Sequence, residues 1–479
     1  MQSIIKDIKD LFSNYSKESI QQVEKLPQSG SERNYFRITC ENNSFIATYG
    51  TNIKENEAFI CFSDHFRNAG LATPKIYCVN DSKSIYIQED LGDVSLIDTL
   101  ESGGYTGKVY FLYKKSLEQL ANLQVKGNAG FDYSKCITNE SFGRQAIMAD
   151  LLYFKYYFLD ALRKPYDKQK LIDDFEALSN YLSHTEYKYF MFRDFQSRNI
   201  MVKDREVFFI DYQGGMQGAP QYDVASLLWQ ARANLPDDWK QRLLEDYIDQ
   251  FEKIIEEPVD RDIFRNQYNG YVLIRLLQVL GAYGFRGLFE RKAHFLTSIP
   301  LALQNLKWFL DNQSIGISLP AFRKVLELCI SDEVINEFTP VTATAETPLV
   351  VTINSFSYKN GIPVDETKNG GGFVFDMRGI LNPGRYDEYK KLSGLDKSVK
   401  DFLEEETEMP VFLNGVYSIV DISVKDYINR NFKSLMINFG CTGGQHRSVY
   451  ACEALARHLR NKFNVKIRLL HNNKENWMK

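Results

Sequence analysis

The chain has 479 residues, of which 44% are apolar, 25% charged and 14% aromatic. That composition supports sizeable hydrophobic cores, excludes a mostly disordered chain and, at ~150 residues per domain, suggests about three domains or lobes. A net charge of −4 and a pI near 6.0 leave no global basic field for nucleic acid or an anionic membrane. The seven cysteines, at 40, 61, 78, 136, 329, 441 and 452, form no CxxC pair and no metal-ligand spacing. An odd, scattered set suits reduced thiols in a cytoplasm better than a disulfide framework.

In chain order, Ile4, Ile5, Ile8, Leu11 and Phe12 recur at helical spacing among charges, without the apolar core of a signal peptide. Short β-rich segments at Ser44–Tyr49 and Ser84–Gln88 flank a helical pattern over Asn56–Ala69. From Tyr105 to about Cys329 the pattern is helical, with aromatic-rich runs such as Asp150–Leu162 and Trp239–Ile255. One island interrupts it: Met191–Tyr212, a loop followed by a strand at Val207–Ile210. The apolar run Tyr271–Phe289 contains Arg275, Arg286 and small residues, which predicts a buried helix rather than a membrane span. Residues 337–348 are small, polar and bounded by proline, a linker by composition. Beyond them, strands at Leu349–Phe356, Phe373–Asp376 and Leu435–Phe439, the last feeding an amphipathic helix, predict an α/β unit. The pattern therefore predicts an α+β two-lobed, protein-kinase-like fold over residues 1–336, followed by a separate α/β domain over 349–479. The small β-rich N-lobe takes about 1–92 and the large helical C-lobe about 93–336. The protein is expected to be cytoplasmic, with no membrane partner.

Within the island stand Phe192-Arg193-Asp194-Phe195-Gln196-Ser197-Arg198-Asn199 and Phe209-Ile210-Asp211-Tyr212-Gln213. Phosphoryl transfer needs a carboxylate to orient the acceptor hydroxyl, and an amide oxygen with a second carboxylate to hold Mg²⁺ against a triphosphate. An Asp five residues before an Asn, then an Asp ending a strand about twelve residues on, supplies that set. The plain alternative is two loop aspartates capping turns.

These residues resemble the aminoglycoside phosphotransferase and choline kinase-like superfamily, and more closely its branch of anomeric N-acetylmuramate/N-acetylglucosamine kinases (AmgK-like). Residues 30–37 look like that branch's nucleotide loop, Gln88–Asp93 like its hinge, Ala219–Leu227 like its post-metal segment and Leu280–Arg286 like one of its late helices. The resemblance implies Asp194 as catalytic base and Asn199 and Asp211 as Mg²⁺ ligands. It further implies ATP held near Gly30, Ser31, Arg33, Glu89 and Leu91. Two departures stand out: Phe192 replaces the usual His, and the Phe45–Gly50 strand lacks the lysine that kinases pair with a helix glutamate. Glu57 is one candidate for that glutamate, with Arg33 or Arg37 supplying the charge; a solvated helix residue is an equal reading of Glu57.

Gly440-Cys-Thr-Gly-Gly-Gln-His-Arg-Ser448 joins an apolar strand to an amphipathic helix. A Gly-rich turn at a helix N-terminus aims several N–H groups at one point, with the dipole behind them. Arg447 offers a fork for phosphate oxygens, and Thr442 and Ser448 offer hydroxyls. By spacing alone, Cys441-x5-Arg447-Ser448 is also a tyrosine phosphatase signature, though no His precedes the Cys and no general-acid loop is evident. With residues 355–365, 373–383 and 392–396, the loop resembles the C-terminal domain of RapZ, a family that senses glucosamine-6-phosphate and binds small RNA. That resemblance places Thr442, Gly443, Gly444, His446, Arg447 and Ser448 around an amino-sugar phosphate effector, with Asp376, Arg378 and Asn382 nearby. Residues 425–479 hold eleven Lys/Arg and three Asp/Glu, a tail of +8 on a remainder of −12. RNA at this basic tail and a merely solvated basic face are equal readings.

The expectation is an ATP- and Mg²⁺-dependent kinase of an amino sugar, joined to an amino-sugar-phosphate sensing domain. The rival is a regulatory RNA- or protein-binding adaptor with a weakly active kinase lobe.

Overall fold

Alternation of apolar residues builds the first sheet: Phe36 and Ile38, Phe45 and Ala47, and Ile85 and Ile87 all face one buried layer. The strands are β1 (Gln22–Lys25), β2 (Asn34–Thr39), β3 (Ser44–Tyr49), β4 (Ile76–Val79) and β5 (Ile85–Glu89). They pair antiparallel in the order β1-β2-β3-β5-β4. The N-terminal helix, Gln2–Tyr15, lays Ile8 and Phe12 on that layer. The helix Ile53–Asn68, capped by Asn52, buries Ala58, Phe59, Phe62 and Phe66 and stacks Phe59 on Tyr86 and Tyr212. The computed structural model describes residues 2–27, 33–290, 293–296, 298–339, 341–367 and 371–477.

The chain divides into two compact units, Met1–Leu288 with Ser298–Asn336 and Phe289–Thr297 with Glu337–Lys479. In the first unit the sheet is followed by long helices, among them Gly107–Asn128, Arg144–Phe154, Asp237–Ile255 and Arg261–Gly284. Two short ribbons interrupt them: β6 (Tyr189–Met191) with β9 (Met216–Gly218), and β7 (Ile200–Lys203) with β8 (Glu206–Phe209). The predicted run Asp150–Leu162 is not one uniform helix: it widens to a π turn at Lys155–Leu159 and tightens at Asp160–Leu162. This segment packs on Arg261–Gly284 at very close range. A Cβ on Gly284 would lie 2.2 Å from the Tyr157 carbonyl oxygen, and one on Gly281 2.7 Å from the Tyr153 ring. Among the described residues one helical stretch, Arg261–Phe289, is long and apolar enough to cross a bilayer, and 56% of its apolar window is buried within the protein.

In the second unit β10 (Val350–Ser357), β11 (Gly372–Asp376), β12 (Ser434–Cys441) and β13 (Lys466–His471) form a parallel sheet in the order β11-β12-β10-β13. Their carboxyl ends align, Ser357 beside Cys441 and Asp376 beside Gly440. Helices Met409–Asn429 and Arg447–Phe463 bury Leu413, Val416, Val420, Leu455 and Leu459 in the core of this unit. The segment expected to be a linker is docked here. Ala343 donates its N–H to the Phe463 carbonyl (2.7 Å), and Lys466 Nζ donates to the carbonyl of Ala345 (3.2 Å).

Gly284→Ala is expected to destabilise the first unit by about 1–3 kcal/mol, because the added methyl meets backbone rather than a side chain that can move. The readout is the denaturant midpoint of that unit's unfolding transition.

Candidate active site and anion loop

The candidate catalytic loop starts where β6 ends. The N–H groups of Phe192 and Arg193 donate to the two carboxylate oxygens of Asp223, at 2.7 and 2.9 Å. Gln124 Nε2 adds a third bond at 2.9 Å, and Asp223 is fully buried. Burial pushes its pKa up to about 7 against the hydrogen bonds that favour the carboxylate. Arg193 holds a φ of +76°, a left-handed conformation that side chains rarely adopt. Its guanidinium fixes it there, 2.8 Å from Asp150 and over the Phe142 ring at 4.5 Å. The kink leaves the Asp194 side chain 47% exposed. Phe192, in the usual His position, anchors the loop edge-on against Phe195, Phe209 and Tyr212.

Asn199 ends a single 3-10 turn and accepts the Ile210 N–H on its carbonyl at 3.0 Å, which brings the end of β8 to the loop. Its Nδ2 donates to the Asp194 carbonyl (2.9 Å) and lies 3.4 Å from Asp211 Oδ2. Asp211 itself has φ +70°. The three predicted residues are therefore brought together. Among the described residues no group of three or more His, Cys, Asp or Glu could hold a metal ion. A carboxylate with an amide oxygen nevertheless fits Mg²⁺ whose remaining ligands are water and substrate phosphates.

The missing lysine has a visible substitute. Gln213 Nε2 donates to Asp211 Oδ1 (2.8 Å) and to Glu55 Oε1 (3.3 Å), and Glu55 forms an ion pair with Arg33, which is 4% exposed. Glu57 does not take this place: it points outward to a surface pair with Lys83. Arg37 is likewise committed elsewhere, to Asp90 and Asp93. A two-residue shift along the helix turns the side chain to a different face, which spacing alone left open. Gly30 and Ser31 lie outside the described residues. At the hinge Leu91 is buried, and the Glu89 carboxylate accepts the Lys75 N–H at 3.2 Å on the sheet edge. Gln213 and Asp223 are the residues that sequence reasoning missed. Gln213 adjoins the motif and Asp223 lies in the post-metal segment, but neither contact is implied by spacing.

In the second unit the Gly440–Ser448 loop sits beyond the carboxyl ends of the strands, where open α/β sheets bind ligands. Cys441 is its floor: 2% exposed, its Sγ accepts the Gly444 N–H (3.1 Å) and lies 3.1 Å from Ser448 Oγ. Thr442 and Gly443 form the exposed rim. Gly444, at φ +68°, passes so close to Asn473 that a Cβ would lie 2.9 Å from its Oδ1. The helix Arg447–Phe463 begins with no side-chain cap, a start that leaves its first N–H groups without a side-chain acceptor. Arg447, 4% exposed, donates Nη1 to the carbonyls of Arg378 (3.2 Å) and Ile380 (2.7 Å), while its buried Nε has no partner among the described residues. One arm of the expected fork thus braces the segment after β11. His446 also braces: its Nε2 donates to the Tyr389 carbonyl at 2.9 Å, and burial lowers its pKa. Asp376 and Arg378 pair with each other (2.7 Å), Arg378 lies over the Tyr358 ring, and Asn382 caps the turn at Gly384. Trp477 Nε1, bonded to the Gly444 carbonyl (2.9 Å), and Asn473, accepting the Ser357 N–H (2.6 Å), complete the loop from the C-terminal end.

A kinase-like cluster of Asp, Asn and Asp behind an antiparallel sheet, and an anion loop on a parallel sheet, define the class of each unit. Residues 22–257 match the phosphotransferase enzyme family, and residues 349–475 match the RapZ C-terminal domain. A nucleotide-binding protein of Fervidobacterium nodosum is 30% identical over 198 residues, covering 39% of this chain and 67% of that protein. One of Clostridium botulinum (strain Eklund 17B) is 38% identical over 139 residues, covering 29% of this chain. The chain spans about 45% of the length of that curated relative. Among solved structures, a choline kinase from Cryptosporidium parvum is 13% identical with a TM-score of 0.46, covering 68% of this chain and 99% of that one. Choline kinase LicA from Streptococcus pneumoniae is 14% identical with a TM-score of 0.39, covering 64% and 99%. The chain thus carries a phosphotransferase family domain over residues 22–257 and a RapZ C-terminal domain over residues 349–475.

The raised pKa of Asp223 sets the sign of a pH effect. Between about pH 4 and 7 the folded protein keeps a proton that the unfolded chain has lost, so stability falls as pH rises through that window. The contribution approaches ~1.4 kcal/mol per pH unit at most. Asp223→Asn is expected to remove that slope from the first unit, read as denaturant midpoints at pH 5 and 7.5.

Proposed function

We propose that the first unit transfers the γ-phosphoryl group of ATP to a hydroxyl of an amino sugar, with the anomeric hydroxyl of N-acetylmuramate or N-acetylglucosamine favoured. The observation that carries the reading is one hydrogen-bonded cluster of Asp194, Asn199 and Asp211, tied through Gln213 and Glu55 to the buried cation Arg33. In this reading Asp194 accepts the hydroxyl proton and aims its oxygen at the phosphorus. Asn199 Oδ1 and Asp211 hold Mg²⁺, which neutralises charge on the triphosphate when bound. Arg33 fixes Glu55, and through it the position of Gln213 and Asp211. Gly30, Ser31 and the hinge at Glu89 and Leu91 take the nucleotide, as the family resemblance implies.

We assign to the second unit the binding of an amino-sugar phosphate. The uncapped helix start, the Arg447 Nε with no partner among the described residues and the exposed hydroxyl of Thr442 support an anion there. The adaptor reading has less support. Several tail cations are engaged internally: Arg430 with Asp426, Lys462 with Asp421, and Lys466 and Arg447 with backbone carbonyls. His471 is held between Ser355 and Glu453.

With ATP and Mg²⁺, ADP release should depend on N-acetylmuramate or N-acetylglucosamine, and Asp194→Asn should lower kcat by at least 10²-fold with ATP binding intact. ADP release equal in wild type and variant, or none across an amino-sugar panel, would sink the kinase reading. Separately, glucosamine-6-phosphate should raise the melting temperature of the second unit. Thr442→Val should weaken that binding about tenfold by titration, and an equal response to unphosphorylated glucosamine would refute the phosphate assignment.

A further inference from the structure

Arg275 lies on the helix Arg261–Gly284, in the apolar run, and is only 5% exposed. Its Nη2 faces Asp194 Oδ1 at 3.9 Å, an ion pair beyond hydrogen-bond reach, and its Nη1 donates to Gln278 on the same helix. A guanidinium carries five N–H donors. Here a nearly buried cation stands beside the candidate base with most of its donors uncommitted among the described residues, open to a further anionic acceptor.

The neighbouring charges decide which acceptor suits the place. Asp150, a carboxylate on the helix packed against this one, is already paired with Arg193. Asp223 is buried behind the loop, with both oxygens accepting backbone N–H groups. Arg198, exposed on the catalytic loop, adds a second cation, and Arg198 and Arg275 both act electrostatically on Tyr283. Asp194 is the one carboxylate paired with Arg275 among the described residues, so a cationic acceptor would meet two neighbouring guanidiniums, Arg275 and Arg198. An acceptor carrying a carboxylate would satisfy Arg275, in the planar bidentate geometry that arginine suits.

We propose that Arg275 is a specificity-determining residue that receives the carboxylate of an acidic sugar while a hydroxyl of that sugar lies against Asp194. The proposal rests on the kinase reading and narrows it to acceptors that carry a carboxylate.

The test compares initial rates of ADP release by the full chain with N-acetylmuramate, which carries a carboxylate, N-acetylglucosamine, which does not, and glucosamine, a cation. The wild type should prefer the acidic sugar by about 10- to 100-fold in kcat/KM and turn over glucosamine least. Arg275→Gln should erase that preference, chiefly by raising KM for N-acetylmuramate, so that kcat/KM falls at least about tenfold further for N-acetylmuramate than for N-acetylglucosamine. Arg275→Lys should recover part of the loss for the acidic sugar alone, and carries the same comparison if Arg275→Gln does not fold. An equal fall for both sugars would assign Arg275 to Asp194 or the transferred phosphoryl group and overturn the proposal. So would a wild type indifferent to the carboxylate. Turnover of no sugar would overturn the kinase reading beneath it, a result distinct from either.

Discussion

The catalytic loop depends on one buried carboxylate. Asp223 sits with no exposure at the start of the helix Gln221–Leu228, and its oxygens accept the N–H groups of Phe192 and Arg193. Placing a charged carboxylate in an apolar interior is expensive unless each oxygen is hydrogen-bonded. Two backbone donors and Gln124 meet that requirement here, and Tyr247 in turn fixes Gln124. The stabilisation supports a local strain. Arg193 and Asp211, at φ +76° and +70°, each sit where a side chain costs of order 1–3 kcal/mol. Those two kinks turn Asp194 outward and point Asp211 toward Asn199. The Arg193 pair with Asp150 and the Asp211 bond from Gln213 add to the Asp223 anchor in holding them.

From that anchored loop, a line of polar contacts runs to the antiparallel sheet: Asp211, Gln213, Glu55, Arg33. On the proposed reading it takes the place of the strand lysine and helix glutamate of other kinase-like folds, with the cation entering from just before β2. Arg33 can be buried because Glu55 compensates its charge and Phe59 offers a ring face at 5.8 Å. On that reading the absence of a lysine on β3 is a relocation of charge rather than its loss.

How much of this was legible in the sequence follows from the range of each interaction. The Asp194, Asn199 and Asp211 set was legible because a short loop and a hairpin place all three, and their spacing is fixed by chain geometry. The Gly440–Ser448 loop was legible for the same reason. Glu55 was not, because choosing it over Glu57 requires knowing that Lys83 waits on the outer face and Arg33 on the inner one. Neither was the bracing role of His446 and Arg447, whose partners lie 57 to 69 residues away on backbone carbonyls. Strand β13 escaped notice because Lys466–His471 mixes basic and apolar residues, and only pairing with β10 makes it a strand.

On the proposed reading both sites meet the same physical problem, the capture of anionic oxygens, by different means. The first would use side chains: a carboxylate and an amide to hold Mg²⁺ against a triphosphate, with arginines held by carboxylate partners. The second uses backbone: a helix start without a side-chain cap and a Gly-rich turn whose closest approaches, at Gly440 and Gly444, leave no room for a Cβ. Backbone donors bring no counter-charge and need little reorganisation, so such a loop suits reversible binding of a phosphate group. A metal-centred cluster suits its transfer. The chemistry of the two units is thus complementary on the proposed reading: a phosphorylated sugar is what one would make and the other would hold. No contact between the units is needed for that relation, because a diffusible product links them through its concentration alone.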